Sequence, residues 1–477
     1  MSSFALGPLS NRPPQYQNQY TLVNKNGWLR LAAVSRRALA LPPEILGEIF
    51  LCCLPESDFT AIHLRELPIT PRPNQPPLVF CAVCRQWRDI ALATPRLWGS
   101  LDINSNFAHS DAGASYVEFC QRWISRAGAT PLSFSFEDYD VEHRSTRLLH
   151  NLLGGLHQQW RCVELLRDSS VPNWLQLPSK GKYPVLEQLT IGEVESDPSV
   201  LSFCNAPRLR IACLLEYTPQ IQLPWHQLTS FRTYTIEASA CLKILRASLN
   251  LVHCFFGRIE DDYSLQLSKL FVSLGHLRSL KVSREWEEDT VGVGPMNVLA
   301  SLKAPALEIL TLEFNYEPRA LPISPLFLSF ISRSACKLHT LALHRFPVRG
   351  TDLITCLRAT PSLVHLKLLP LPSVRANILF GRLTGDLTLL PMLESFYLVF
   401  PESGIRDVTS STAEWILEML CWRRRTTPLH SFSLSHAYDQ SVFENTLINS
   451  PEFRRLQTEG MSLSIKKWWY SESFMWH

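Results

Sequence analysis

Hydrophobic positions along this chain repeat one figure: a leucine, two residues, a second apolar residue, one residue, and a third apolar residue. It is clearest at Leu186/Leu189/Ile191, Leu277/Leu280/Val282, Leu307/Leu310/Leu312, Leu338/Leu341/Leu343, Leu363/Leu366/Leu368, Leu393/Phe396/Leu398 and Leu429/Phe432/Leu434. The last two positions alternate as in a half-buried strand, pointing one way while the residue between them points the other. Weaker figures fit at Leu101/Ile103, Leu132/Phe134, Val163/Leu165, Ile211/Cys213, Phe231/Thr233, Cys254/Phe256 and Leu463/Ile465, giving 14 candidate strands spaced 20 to 36 residues apart. Several intervals carry helix-like stripes, such as Tyr116, Val117, Cys120, Trp123, Ile124 and Ala127, or Leu326, Phe327, Phe330 and Ile331, or Trp415, Ile416, Met419 and Leu420. One strand and one helix cannot bury their apolar faces alone but bury them against the next copy. The expectation is an α/β chain whose residues 99–477 form a curved solenoid of parallel strands and helices.

Ahead of this region the pattern changes. Residues 1–27 read as a polar leader, and Trp28 to Ala40 as a short amphipathic helix, so 1–40 precede the first strong signal. At Leu41-Pro42-Pro43-Glu44 a helix is predicted to start, because proline fits a first turn whose N–H has no intrahelical partner. Ile45, Leu46, Ile49, Phe50, Cys53 and Leu54 draw a broad stripe that Pro55 ends. Residues 55–77 are rich in proline and read as a loop. A second helix then places Val79, Phe80, Val83, Cys84, Trp87 and Ala91 on one face.

Leu41-Pro42-Pro43-Glu44-Ile45-Leu46, then Val83-Cys84-Arg85-Gln86-Trp87, then Leu97-Trp98 resemble in order the three parts of the F-box motif. The match covers residues 41–98 and is similar to F-box-like members common in fungi, whose downstream half is a degenerate leucine-rich repeat. The resemblance implies a helical module docking the Skp adaptor, and through it a cullin, in an SCF-type ubiquitin ligase, with the leucine-rich-repeat-like remainder recruiting a substrate protein. By position, Leu41, Pro42, Ile45, Leu46, Ile49 and Phe50 carry over as first-helix contacts or core, and Val83, Cys84, Trp87, Leu97 and Trp98 as the second part. Phe50, Trp87 and Trp98 stand out as aromatic anchors. Two departures are visible: the proline-rich insert between the helices, and repeats whose signature asparagine appears only as Asn315. The stack is therefore expected to be less regular than strict leucine-rich repeats. The alternative is a repeat-only protein-binding scaffold unconnected with ubiquitin, its helical start a cap.

Composition narrows the partners. A hydrophobic share of 46% with 19% charged residues is that of a folded protein. A net charge of +3, from 46 basic and 43 acidic residues, gives no broad attraction for nucleic acid or an anionic bilayer. No stretch reaches the ~18 apolar residues of a membrane span. Neither a secretory signal nor an Asn-X-Ser/Thr sequon is read. The 13 scattered cysteines suit small buried hydrophobes in a reducing compartment. Cytoplasm or nucleus, or both, is the expected location.

Chemistry-bearing motifs are read blandly. Cys81-x-x-Cys84, with Cys52 and Cys53, lies on apolar helical faces without knuckle glycines, so core packing outweighs zinc or redox use. His143, His150 and His157 stand seven residues apart, about 10 Å along a helix and too far to share one metal. Arg423-Arg424-Arg425 reads as cations at a helix C-terminus rather than a phosphate handle. The aromatic tail around Trp468 and Trp469 suits either a terminal cap or a hot spot. Gly292-Val293-Gly294 lacks a dinucleotide loop's third glycine, and no hydrolase, zinc-protease or phosphate-loop motif occurs. No catalytic residue, cofactor or metal is assigned; the protein is read as a non-enzymatic receptor. Outward strand residues such as Lys281, Thr311, His365, Lys367 and Tyr397 are the expected substrate-facing positions, with the substrate unknown.

Overall fold

The two inward positions of twelve of the fourteen sequence figures, with shifted pairs in the other two strands, become two rows of side chains running across one parallel sheet. In the computed structural model, residues 41–54, 70–104, 113–138, 143–167, 181–192, 200–260, 271–284, 294–314, 323–346, 348, 350–400, 410–436 and 441–467 are described. The predicted helix at 28–40, most of the proline-rich insert, Asn315 and the aromatic tail lie outside them. The chain divides into two compact units, residues 1–55 with 71–98, and residues 56–70 with 99–477.

The second unit is built on a 14-stranded sheet whose order follows the chain. Its strands are β1 (Ser100–Asn104), β2 (Leu132–Asp138), β3 (Trp160–Arg167), β4 (Gln188–Ile191), β5 (Ile211–Glu216), β6 (Ser230–Glu237) and β7 (His253–Glu260). They continue as β8 (Ser279–Arg284), β9 (Ile309–Phe314), β10 (Thr340–His344), β11 (His365–Leu369), β12 (Ser395–Val399), β13 (Ser431–His436) and β14 (Ser462–Lys467). Every pairing between successive strands is parallel. From β8 onward each figure aligns with the next, so Leu280, Leu310, Leu341, Leu366, Phe396, Phe432 and Leu463 stand side by side. Both rows are buried through β13. The leading leucines, Leu186 through Leu429, are buried as well. One residue past each, a backbone N–H reaches the preceding strand's entry, as in Glu308 N to Arg278 O (2.9 Å) and His339 N to Glu308 O (2.8 Å). Those bonds satisfy groups that burial would otherwise leave unpaired.

Two expected registers are corrected. In β2 the aligned pair is Phe134/Phe136 rather than Leu132/Phe134, opposite Leu101 and Ile103. In β5 it is Ala212/Leu214 rather than Ile211/Cys213. The first is a two-residue shift along the same face; the second is a one-residue slip, which exchanges the two faces of the strand.

Thirteen α-helices lie among the described residues. In the first unit they are α1 (Pro43–Cys52), α2 (Leu78–Val83) and α3 (Arg85–Leu92). In the second they are α4 (Gly113–Ala127), α5 (Arg144–Gly155), α6 (Ala238–Ala247), α7 (Gly294–Ala300), α8 (Ile323–Ser334), α9 (Gly350–Arg358), α10 (Ser373–Leu383), α11 (Ser410–Thr426), α12 (Ser441–Ile448) and α13 (Pro451–Thr458). The stripes bury most of their members: α4 buries Val117, Cys120, Trp123, Ile124 and Ala127, whereas in α11 Ile416, Met419 and Leu420 are buried and Trp415 is 40% exposed. From α6 to α12 each helix packs beside the next, on the sheet face toward which the two rows point. Phe380 of α10 meets Phe396 at 6.4 Å between ring centres, and His150 of α5 meets Phe136 at 5.1 Å.

The one-strand, one-helix expectation fails between β4 and β6. There the described connections carry a 3-10 turn at Trp225–Gln227 and a two-stranded pairing of Leu201–Ser202 with Ile221–Gln222. These intervals, among the shortest in the chain, leave little length for a helix.

Candidate docking module and sheet face

In the first unit, Pro43 occupies the opening turn of α1, and Pro42 accepts the first backbone bonds from Ile45 and Leu46 (both 3.1 Å). From there α1 has two apolar faces. Leu46 and Phe50, 2% and 1% exposed, turn inward. Phe50 stacks on Phe80 of α2 at 4.3 Å and tilts against Trp87 of α3 at 4.9 Å. Gly47 lets α1 approach Thr94, since a Cβ there would stand 3.1 Å from the hydroxyl. The other face carries Ile45 and Ile49, four residues apart and 49% and 42% exposed, with Leu41, 36% exposed, just ahead of the helix. Such spacing sets the two isoleucines on one side of the helix.

The predicted second helix is two helices. Cys84 is extended at φ −159°, ψ 171°, and its Sγ accepts the Trp87 N–H at 3.4 Å, capping α3. Arg88 Nε donates to Cys81 O at 2.7 Å across the break. The interruption leaves Val83 56% exposed. Leu97 and Trp98 are fully buried, with Trp98 Nε1 donating to Ala91 O at 2.8 Å.

The resemblance-derived residues therefore separate. Leu46, Phe50, Leu97 and Trp98 are interior, Cys84 and Trp87 are half-buried, and Leu41, Pro42, Ile45, Ile49 and Val83 face solvent. Phe50 and Trp98, singled out as anchors, are spent on the unit's own core, Phe50 stacked on Phe80 and Trp98 bonded to Ala91 O. Leu92, 38% exposed at the end of α3, was not singled out; its apolar character at a helix terminus was the available signal.

In the second unit, the residues between the inward rows form the opposite face of the sheet. Lys367 and His365 are exposed there, and Lys281, Thr311 and Tyr397 half-buried. Arg232, Tyr234 and Phe255 join them without having been singled out. The Arg232 guanidinium carbon lies 5.2 Å from the Phe255 ring centre and the Lys281 ammonium 5.0 Å from it. Arg232 Nη1 also donates to the Tyr234 hydroxyl at 3.2 Å. Lys281 Nζ stands 3.3 Å from Glu313, and His344 Nδ1 3.9 Å from the same carboxylate. Burial raises the Glu313 carboxyl, but Lys281 and His344 outweigh it and hold it below its usual range. Burial pushes His344 down to about 4, against the pull of Glu313, so its ring is neutral at physiological pH.

The histidine series is dispersed. His143 caps α5 through Nδ1 to the Ser145 N–H, His150 packs on Phe136, and His157 meets Tyr183 ring to ring at 5.6 Å. The arginine run ends α11 as expected, with one member turned inward. Arg423 is fully buried and donates to the carbonyls of Leu383 (2.8 Å), Asp386 (3.1 Å), Leu389 (2.7 Å) and Leu390 (3.1 Å). Arg333 of α8 repeats the device on Leu299 (2.8 Å) and Leu302 (3.0 Å). Among the described residues, no helix is long and apolar enough to cross a membrane, and no group of three or more His, Cys, Asp or Glu side chains is placed to hold a metal.

No known protein family matches this chain, and no curated protein is significantly similar to it.

Proposed function

We propose that this chain is the substrate-recognition adaptor of an SCF-type ubiquitin ligase, working in the cytoplasm, the nucleus or both. Residues 41–98 act as an F-box-like module that docks a Skp adaptor and through it a cullin. The strands and helices of 99–477 act as a leucine-rich-repeat-like solenoid that holds a protein substrate. The observation that carries this reading is the two-faced α1. Leu46 and Phe50 complete the unit's interior, so the exposed Ile45 and Ile49, with Leu41 just ahead of the helix, are surplus to it. An apolar stripe left in water on a helix already packed on its other side is what helix-in-groove recognition requires. The motif of residues 41–98 supplies the identity of the groove.

In this role the chain makes and breaks no covalent bond. It contributes proximity, since tethering a substrate beside the ligase's transfer site makes the encounter effectively intramolecular. The test is capture: the full-length chain mixed with a purified Skp adaptor at about 1 μM of each should co-elute as one complex, the range in which a compact helix-in-groove contact is stable. Separate elution of both folded proteins would reject the assignment in favour of a scaffold unconnected with ubiquitin.

A further inference from the structure

Charge is segregated along one outward row of the large sheet. Its registered positions begin with Asp102, Ser135 and Glu164 on β1 to β3. From β6 to β11 the same row reads Arg232, Phe255, Lys281, Thr311, Ala342 and Lys367, three cations and no acid. The neighbouring row toward the strand starts, Ser230 through His365, holds Ser, Thr, His and one Ile over those strands, again without an acid. Glu313, two residues past Thr311 on β9 and so in the next outward row, is the carboxylate set against Lys281.

The first two cations are held in place before any ligand arrives. Arg232 and Lys281 share the Phe255 ring, and Tyr234 closes the cluster edge-on to Phe255 at 5.2 Å. Cations fixed on an aromatic face lose less side-chain freedom on binding than free lysines do. Thr311 and Ala342 are small, so the row between Lys281 and Lys367 has a low floor.

We propose that the outward face of β6 to β11 docks an extended, carboxylate-rich peptide segment of a partner protein, with Arg232, Lys281 and Lys367 as its three cationic contacts. Strands about 4.8 Å apart put Arg232 and Lys281 about 10 Å apart and Lys281 and Lys367 about 14 Å apart. An extended chain advancing about 3.3 Å per residue, with every second side chain on the same face, meets both intervals with acidic side chains four residues apart, about 13 Å, the long basic side chains covering the difference. The proposal deepens the receptor reading by naming the chemistry of what is recruited, and rests on that reading only for the fate of the captured protein. No adaptor enters its test, so the two fail separately.

The probe is a fluorescein-labelled decapeptide of serine carrying three glutamates at that spacing, titrated with the full-length chain and followed by anisotropy. Saturable binding below about 100 μM in dilute salt is expected, weakening as salt screens the contacts. Lys281→Glu with Lys367→Glu should weaken it by about tenfold or more, as reversing two facing charges does. Lys281→Arg with Lys367→Arg should preserve it, separating lost charge from lost fold. Asp102→Lys with Glu164→Lys, a charge change of the same size and opposite sign at the other end of the row, should not weaken it. The proposal is overturned by absent binding, by unchanged affinity in the Lys→Glu pair, by loss in the Lys→Arg pair, or by binding that appears only when the serines are phosphorylated.

Discussion

Arg423 sits in the last turn of α11 with its side chain fully buried and its guanidinium given to four carbonyls at the end of α10 and in the loop after it. Burial lowers its pKa to about 10, which leaves it charged at neutral pH. Arg423→Met keeps much of the stem's volume but leaves buried carbonyls unpaired, and should destabilise the protein by about 3 kcal/mol in urea unfolding. Arg425→Met, at an exposed neighbour, should change stability by less than about 0.5 kcal/mol; equal effects would refute the clamp. At the same scale, His344 is held near 4 by burial, below its ordinary 6.5. Between these values the unfolded chain binds more protons than the folded one, so stability is full above pH 6.5 and falls as pH drops through the window. His344→Gln should flatten the unfolding midpoint across that range, and an unaltered slope would remove His344 as its source. Neither role was legible in the sequence. A basic run at a helix end reads as dipole compensation, and only the return of residues 383–390 beneath α11 turns one arginine into a structural donor.

At the scale of elements, the close pairing of β6 and β7 depends on a missing side chain. A Cβ on Gly257 would fall 2.7 Å from both Cα and O of Tyr234, backbone atoms that cannot rotate away. The register between β7 and β8 shifts beside this point, Phe256 facing Val282 and Arg258 facing Ser283. Gly257→Val, favourable by strand propensity alone, should destabilise by about 2–3 kcal/mol through overpacking, read as a lowered urea midpoint. A neutral or stabilising result would show that the strands can separate without cost. Strand placement was largely legible, because a leucine figure with strict alternation fixes which side faces in. It misled where alternation was ambiguous. Ile211-Ala212-Cys213-Leu214 is apolar at every position, and Leu132, Phe134 and Phe136 offer overlapping choices. The break at Cys84 was hidden for a different reason: periodicity continues across it, while a thiol accepting a backbone N–H ends one helix and starts another.

At the scale of the whole molecule, each unit has its own interior and its own surplus. The first keeps Leu46, Phe50, Phe80, Leu97 and Trp98 inside and leaves a stripe of aliphatic side chains outside. The second buries two rows of side chains under its helices and leaves cations and aromatics on the other face. The sequence shows hydrophobic period and proline punctuation changing near residue 99. It could not separate exposed residues from core residues in α1, because both are apolar at helical spacing and only packing decides which side is filled. That division is what the adaptor reading stands on. Its most direct measurement is a calorimetric titration of a purified Skp adaptor into the full-length chain carrying Ile45→Asp and Ile49→Asp, with the wild type alongside. Affinity should fall by about a hundredfold or more, as for central apolar contacts, while the thermal unfolding midpoint stays within a few degrees of wild type. Undiminished affinity in that folded variant would contradict the assignment of α1's exposed stripe as the docking face.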